Sequence, residues 1–491
     1  MTVYSVILSA GIGKRMKSST PKVLHEVLGK PIVAYAVDAL ANCGKVLQTI
    51  VVISKRSGLI RQYLEERPED KPANKPEDKL EGKPANRNLI FAYQEEPLGT
   101  ADALRAGVEV LPERDFDCVV VMAGDTPLVK SSTLSELIER HAFLKSDLTL
   151  TTFIASNPNS YGRIKRGPES AVQCIIEDGD ASAEEKKIFE VNSGLYVFGK
   201  KALALLREIG KNEKKGEYYL TDIVSLCNAK GLNVNTHVAP NEYEFMGINT
   251  RYDMLVAQKA LQREIALKWM EEGVTMMDVE SIIIHPGVSI GKDTVIYPNV
   301  QLEGNTRIGE GCKIYSNVRI VDTELEDRVI INDSTVIDKS KILSGSTIGP
   351  FARVRPGSEI GPKARIGNFV EIKNSTIGFN TKASHLTYIG DAILGRDINI
   401  GAGTITCNYD GKDKHKTVIK DGVFIGSGSQ LVAPVTINGN AFVGAGSTIT
   451  ADVPEKALAI SRTKQRNISG WVKPKENETK ENETIKNKTG E

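Results

Sequence analysis

Aliphatic residues along this chain follow two rhythms, one before and one after residue 281. In the first ~250 residues, short aliphatic runs alternate with amphipathic stretches. Val3–Leu8 and residues 49–53, 89–93 and 118–122 read as buried strands. Ile32–Asn42 and residues 100–111 carry a helical pattern between them, and Pro31 stands where a helix begins. Strand and helix in alternation predict an α/β, Rossmann-like domain: a mainly parallel sheet covered on both faces. A further helix is predicted over 251–272, because Met254, Ala257, Leu261, Ile265 and Trp269 recur at steps of three and four and share one stripe.

The second rhythm has a period of six. Ile284, Ile290, Ile296, Leu302, Ile308, Ile314 and Ile320 follow it; a second run starts at Ile330 and Val336 and continues through Ile342, Ile348, Val354, Ile360, Ile366 and Ile372. A third run holds from Ile419 through Ile425, Leu431, Ile437 and Val443 to Ile449. Neither the helix nor the two-residue strand period explains this. A parallel β-helix does, each short strand pointing one aliphatic side chain into a triangular coil. About nine coils spaced ~4.8 Å apart make a prism on the order of 45 Å long. Glycines that follow the aliphatics (Gly291, Gly309, Gly349, Gly361, Gly367, Gly401, Gly426, Gly444) fit tight corners. Residues 378–418 interrupt the pattern and carry His385, Tyr388, Asn399, Asn408 and Tyr409, a setting in which repeat proteins place function.

These patterns divide the chain into residues 1–250, a linker helix at 251–272, the repeats at 273–470 and a tail at 471–491. The tract 66–88 and the tail repeat Pro, Lys, Glu and Asn, a composition that cannot bury enough apolar surface to offset ordering. Both are expected to be solvated. A net charge of +1 gives no electrostatic case for nucleic acid or an anionic membrane as partner. Six cysteines stand far apart without a C-x-x-C pair, which argues against a zinc site and a disulfide framework. The apolar run at Val3–Leu8 is followed, not preceded, by basic residues, so no signal peptide is expected, and no run reaches membrane-span length. A reduced, cytoplasmic protein is expected.

The chemistry begins after the first strand, at Leu8-Ser9-Ala10-Gly11-Ile12-Gly13-Lys14-Arg15-Met16. A glycine-rich turn there lets backbone N–H groups approach phosphates, with Arg15 and Lys22 as cationic clamps. The spacing is neither G-x-G-x-x-G nor a Walker A, which disfavours a dinucleotide oxidoreductase and a P-loop ATPase. The segment, with Pro21-Lys22, resembles the signature of the sugar-phosphate nucleotidyltransferases. Gln94, Pro97-Leu98-Gly99-Thr100-Ala101, Gly124-Asp125, Tyr161-Gly162-Arg163, Glu177, Asn192, Gly216-Glu217-Tyr218-Tyr219 and Gly247-Ile248-Asn249 follow in the family's order. With the repeats, the likeness covers roughly residues 3–470 and is to the bifunctional N-acetylglucosamine-1-phosphate uridylyltransferase / glucosamine-1-phosphate N-acetyltransferase family. That resemblance implies a left-handed β-helix for the repeat half.

The resemblance also implies roles. Leu8, Ser9, Ala10, Gly11, Arg15, Gln94, Gly99 and Thr100 hold UTP, with Lys22 near its phosphates; Asp125 and Asn249 bind Mg²⁺; Gly162, Glu177 and Asn192 fix the acetylated sugar. Read on the residues alone, the lesser alternative for Asp125 is a helix cap ahead of Pro127. Ala123 departs from the pattern, some relatives carrying Tyr there. In the repeat half, His385-Leu386-Thr387-Tyr388-Ile389-Gly390-Asp391 matches the acetyltransferase, making His385 the general base toward the amine of glucosamine-1-phosphate. Arg355, Lys373, Tyr388 and Asn399 match the sugar-phosphate subsite; Ala402, Asn408, Tyr409, Ser427, Ala445 and Arg462 match the acetyl-CoA subsite. His285 and His415 receive no role. The family forms homotrimers acting on small molecules. The competing reading is a single-activity nucleotidyltransferase whose β-helix serves only oligomerisation.

Overall fold

A computed structural model describes residues 1–11, 13–55, 58–67, 89–112, 115–213 and 215–472; the tract 68–88 and the tail from residue 473 lie outside the described residues. The chain divides into two compact units, Met1–Asp322 and Thr323–Glu491.

In the first unit, β1 (Val3–Leu8), β2 (Val46–Ser54), β3 (Leu89–Gln94) and β4 (Cys118–Ala123) lie in the order β3-β2-β1-β4, all parallel. Helices α1 (Ile32–Asn42), α2 (Gly58–Glu65), α3 (Thr100–Glu109) and α4 (Ser131–Phe143) fill the crossovers and their flanks. Alternation along β1 supplies both faces. Val3 and Ile7 join Val37, Leu40 and Leu137 in one core; Tyr4 and Val6 join Leu104, Val52 and Val121 in the other.

The sheet departs from the mainly parallel expectation beyond β4. It continues with β5 (Leu148–Ile154), β6 (Arg163–Arg166), β7 (Val172–Ile176), β8 (Glu190–Gly199) and β9 (Val234–Ala239). β8 lies antiparallel between β4 and β5, and pairs antiparallel with β6, which is itself antiparallel to β7. Only one-turn helices interrupt the chain between β5 and β8. A parallel return needs a full crossover, so the strand comes back antiparallel.

α5 (Ile223–Ala229) precedes β9, and α6 (Arg251–Glu271) follows it. α6 begins at a reciprocal cap: the Thr250 side chain accepts from the Asp253 N–H while the Asp253 carboxylate accepts from the Thr250 N–H. The predicted stripe is the packed one. Ala257, with Met254, Leu261 and Ile265 beside it, meets Val27, Ile32, Leu128 and Ile248. Arg67, inside the tract expected to be solvated, is instead 1% exposed and pairs with Asp38. Among the described residues, no helix is long and apolar enough to cross a membrane.

Within the first unit the repeats open with strands such as Ile283–Ile284, Gln301–Glu303 and Arg319–Val321, paired in parallel with Leu302 between Ile284 and Ile320. In the second unit Ile342, Ile360, Ile377 and Leu394 stack in one parallel sheet, and Ile348, Ile366, Ala383 and Ile400 in another. A third stacks Ile337, Val354, Ile372 and Ile389. All of these side chains are buried. Three short parallel sheets with aliphatic ladders inside are the β-helix of hexapeptide repeats.

The ladder corrects three sequence readings. Ile331 and Ile337 point inward, whereas Ile330 is partly exposed and Val336 is 37% exposed, so the second run starts one residue later than expected. Residues 378–418 are not one interruption. Coils of strands continue through Lys382–His385, Tyr388–Gly390, Ala392–Leu394, Asn399–Ile400 and Ile405–Cys407, with Ala383 and Thr406 taking inward positions normally held by aliphatics. The true insertion lies between Cys407 and Thr417. Of the glycines read as corners, only Gly349 has positive φ. Gly401 is needed for another reason: a Cβ there would press on the Ser427 backbone of the next coil. Corners go instead to residues such as Asn374, Asn380, Asp391 and Asp397 in the left-handed region.

Candidate active sites

The first site forms where β1 and β4 end. The Gly124 N–H donates to the Leu8 carbonyl at 3.0 Å and the Ser9 N–H to Val52 at 2.8 Å, fixing the glycine-rich turn against the sheet. Ala10 and Ser9 are buried, Gly11 and Arg15 exposed. Lys22 lies on the one-turn helix Lys22–Leu24 and points back across the turn. Its ammonium pairs with Asp125 and donates to Asn249 Oδ1 at 3.1 Å. The Ile248 N–H donates to the Asp125 carbonyl at 2.9 Å, which brings the Gly247-Ile248-Asn249 segment to the end of β4. Asp125 therefore does not serve as a simple helix cap. Two oxygens from distant segments converge on one cationic point.

That donor set fits a hard divalent cation. Such ions take oxygen ligands and keep several positions for water and substrate phosphates. Among the described residues no group of three or more His, Cys, Asp and Glu is arranged to hold a metal; a cation at this point would have Asp125 and Asn249 as its protein oxygens.

A second set surrounds β3 and the start of α3. The Gln94 amide donates to the Gly99 carbonyl at 3.0 Å and to Asp102 at 2.8 Å. Gly99 has φ of 111°, and a Cβ there would overlap the Tyr218 backbone. The Thr100 hydroxyl accepts from the Leu220 N–H at 3.1 Å, and the neighbouring Thr221 hydroxyl donates to Glu177 at 2.8 Å. Burial pushes the Glu177 carboxyl above its usual range, the Thr221 bond only partly offsetting it. The Asn192 N–H donates to the Gly162 carbonyl at 2.8 Å, and its side-chain amide to Tyr196 at 2.7 Å. The one-turn helix Leu220–Asp222 thus joins the Gln94–Thr100 group to Glu177. Asp102, Thr221 and Tyr196, which orient Gln94, Glu177 and Asn192, were missed by sequence reasoning; only Asp102 had a signal, two residues after Thr100.

In the second unit, His385 ends the strand Lys382–His385 and sits in register with Asn368 of the preceding coil. Its Nδ1 lies 2.7 Å from Asn368 Oδ1. On a neighbouring face, Arg355 donates to Glu371 at 2.9 Å, and Glu371 is in register with Tyr388. Lys373 lies 3.9 Å from Asp391. Asn399 is exposed, paired between Lys382 and Phe424 in the sheet that carries His385. Among the described residues no hydrogen bond joins His385 to Arg355, Lys373, Tyr388 or Asn399.

The acetyl-CoA group climbs the later coils. Gly428 donates to the Ala402 carbonyl at 2.7 Å, while no acceptor among the described residues takes the Ala402 N–H. Ser427 and Ala445 are exposed, and Arg462 donates to the Ala445 carbonyl at 2.9 Å. The insertion starts at Asn408, which is 7% exposed, and exposed Tyr409. It closes where the His415 N–H reaches the Asn408 carbonyl at 2.9 Å and His415 Nε2 meets Asp410 at 2.7 Å. Asn368 and Glu371 had no sequence signal, since their partners are a coil away; Asp391 stood in the His385–Asp391 motif but without a role.

Comparison with known proteins agrees with both halves. The nucleotidyl transferase family model matches residues 4–270, and the bacterial transferase hexapeptide repeat matches 287–322 and 416–451. The bifunctional protein GlmU of Thermodesulfovibrio yellowstonii is 48% identical over 96% of this chain and 99% of its own. The chain belongs to the GlmU family. GlmU proteins of Syntrophotalea carbinolica and Heliobacterium modesticaldum are 46% and 44% identical, covering 95% and 94% of this chain and 96% of each relative. Matches of this length take in both constellations, so the GlmU likeness extends over the nucleotidyltransferase half and the repeat half together.

Proposed function

We propose that this bifunctional enzyme acetylates glucosamine-1-phosphate with acetyl-CoA and then transfers UMP from UTP to the product, giving UDP-N-acetylglucosamine and pyrophosphate. The observation that carries the two-site reading is that the Lys22–Asp125–Asn249 convergence and the His385–Asn368 pair belong to different compact units.

In the uridylyl step the sugar-phosphate oxygen attacks the α-phosphorus of UTP in line and pyrophosphate leaves. No protein nucleophile is required. The glycine-rich turn Leu8, Ser9, Ala10 and Gly11 receives the nucleotide, Arg15 and Lys22 offset phosphate charge, and Gln94, Gly99 and Thr100 form the base side. Gly162, Glu177 and Asn192 hold the acetylated sugar. Asp125 and Asn249 would hold a divalent cation, Mg²⁺ in our reading, which would supply further charge neutralisation for the phosphates.

In the acetyl step His385 Nε2 takes the proton from the sugar amine as the amine attacks the thioester carbonyl, and CoA thiolate leaves. Asn368 accepts from Nδ1–H, which leaves Nε2 as the base. The unpaired Ala402 N–H suits the developing oxyanion. Arg355, Lys373, Tyr388 and Asn399 bind the sugar phosphate; Asn408, Tyr409, Ser427, Ala445 and Arg462 line the CoA path. These residues spread over more than one face of the coil, and Phe424 stacks on Phe442 at 4.4 Å on its outside. Both features support a homotrimer whose acetyltransferase sites are completed by a neighbouring copy. The phosphorylated, charged substrates support a cytoplasmic location.

The test is a crossed assay on full-length protein. His385→Ala lowers acetyl transfer by roughly 10²–10⁴ and leaves uridylyl transfer from the acetylated precursor, while Asp125→Ala removes uridylyl transfer and leaves acetyl transfer. Loss of both activities in either variant overturns the two-site reading.

A further inference from the structure

Asn374, Asp391 and Asn408 occupy one edge of the coil in three successive turns. Lys373 is in register with Gly390 and Tyr388 with Ile405, which places Asn374 below Asp391 and Asn408 above it. The Asn374 amide donates to Asp391 Oδ1 at 2.6 Å, and the Asn408 amide donates to Asp391 Oδ2. Asp391 is only 8% exposed, and Lys373 faces it from the preceding coil. Burial would raise its carboxyl, but the two amides, with Lys373 and Lys414, outweigh that and hold it below the usual carboxylate range.

We propose that Asp391 is a positioning residue that locks the sugar-phosphate subsite to the acetyl-CoA subsite, through Lys373 on one side and Asn408 on the other. The inference rests on the reading that Lys373 and Asn408 meet the two substrates. A carboxylate is required by donor counting. Two amide NH₂ groups approach from opposite sides, and an ionised Asp offers an acceptor to each. A neutral Asn offers one acceptor and turns its own NH₂ on the other amide. Asn408 is also the foot of the insertion, since its carbonyl takes the His415 N–H that closes the loop. A displaced Asn408 therefore moves Tyr409 with it, and a released Lys373 loses its set direction.

The experiment measures both Michaelis constants of acetyl transfer in full-length protein. Asp391→Asn is expected to raise KM for acetyl-CoA and for glucosamine-1-phosphate each about tenfold, with kcat changed less than about threefold, because charge-assisted hydrogen bonds are lost without touching the base. A wild-type far-UV circular dichroism spectrum and thermal melt report that the β-helix has folded, since uridylyl transfer reads only the first unit. Asn408→Ala raises only the acetyl-CoA constant and Lys373→Ala mainly the sugar-phosphate constant. Adding Asp391→Asn to either single variant then leaves that variant's own constant within about twofold. If Asp391→Asn does not fold, Asn374→Ala, which removes one amide donor, is expected to raise both constants about threefold. Wild-type constants in Asp391→Asn, or full multiplication of effects in the double variants, overturn the lock. Unchanged constants in Lys373→Ala and Asn408→Ala overturn the site reading itself.

Discussion

The Nδ1 atom of His385 lies 2.7 Å from Oδ1 of Asn368, directly across the ladder between two coils. Asn is uncharged, so it selects the tautomer with Nδ1–H without adding a negative charge beside the ring. Asn368→Ala is expected to slow acetyl transfer about tenfold, the equivalent of about 1.4 kcal/mol of lost orientation. His385→Ala removes the base and costs roughly 10²–10⁴ in rate. Steady-state assays of both activities check this, with uridylyl transfer unchanged in both.

Chelation separates the two halves. Because Asp125 and Asn249 offer oxygens around a single cationic point, EDTA is expected to abolish uridylyl transfer and leave acetyl transfer intact. Asp125→Asn keeps the shape but not the charge, and is expected to raise the Mg²⁺ concentration needed for half-maximal activity at least about tenfold. A metal titration of each activity gives the answer.

His141 sets a pH dependence of stability in the first unit. It is buried on α4 with Nδ1 2.9 Å from the Thr149 hydroxyl, and burial pushes its imidazole down to about 4. The unfolded chain takes up this proton near pH 6.5, the folded chain near 4, so the unfolded state binds more protons between these values. The contribution is complete above pH 6.5 and is lost as pH falls towards 4, by roughly 2–3 kcal/mol. Thermal melts of wild type and His141→Gln from pH 7 to 4 should show a shallower loss of Tm in the variant.

The aliphatic ladder predicts where the prism is fragile. Ile366 is fully buried between Ile348 and Ala383 in one sheet. Ile366→Ala opens a cavity that no neighbour can fill and is expected to cost about 2–5 kcal/mol. Val336→Ala, on the outside of the same region, is expected to cost under about 1 kcal/mol, because Val336 faces outward. Denaturant unfolding of the two variants compares them.

Much of this was legible in the residues because burial imposes periods. The strands β1 to β4 and the helix α3 were read within a few residues of their bounds, and Ile32–Asn42 in full, because each carries its own apolar face, whereas β5 to β9 were not read as strands. The six-residue repeat was equally plain wherever the inward residue is Ile, Leu or Val. It vanished where Ala383 and Thr406 take inward positions, since a small or polar side chain leaves no hydrophobic mark. The one-residue slips to Ile331 and Ile337 were hidden by the neighbouring aliphatics Ile330 and Val336.

By itself the sequence determined the two architectures and the chemical types present in each, because periodicity and turn chemistry are local properties of a chain. Which groups meet was decided only by the tertiary structure. Lys22 reaches Asp125 and Asn249, Asn368 reaches His385, and Asp391 takes amides from coils on either side, through contacts between residues far apart in the chain. Hydrogen-bond geometry acts over about 3 Å and requires both partners in place. No pattern along one strand of sequence encodes the register of the next coil, so the orienting residues emerge only when the coils are stacked.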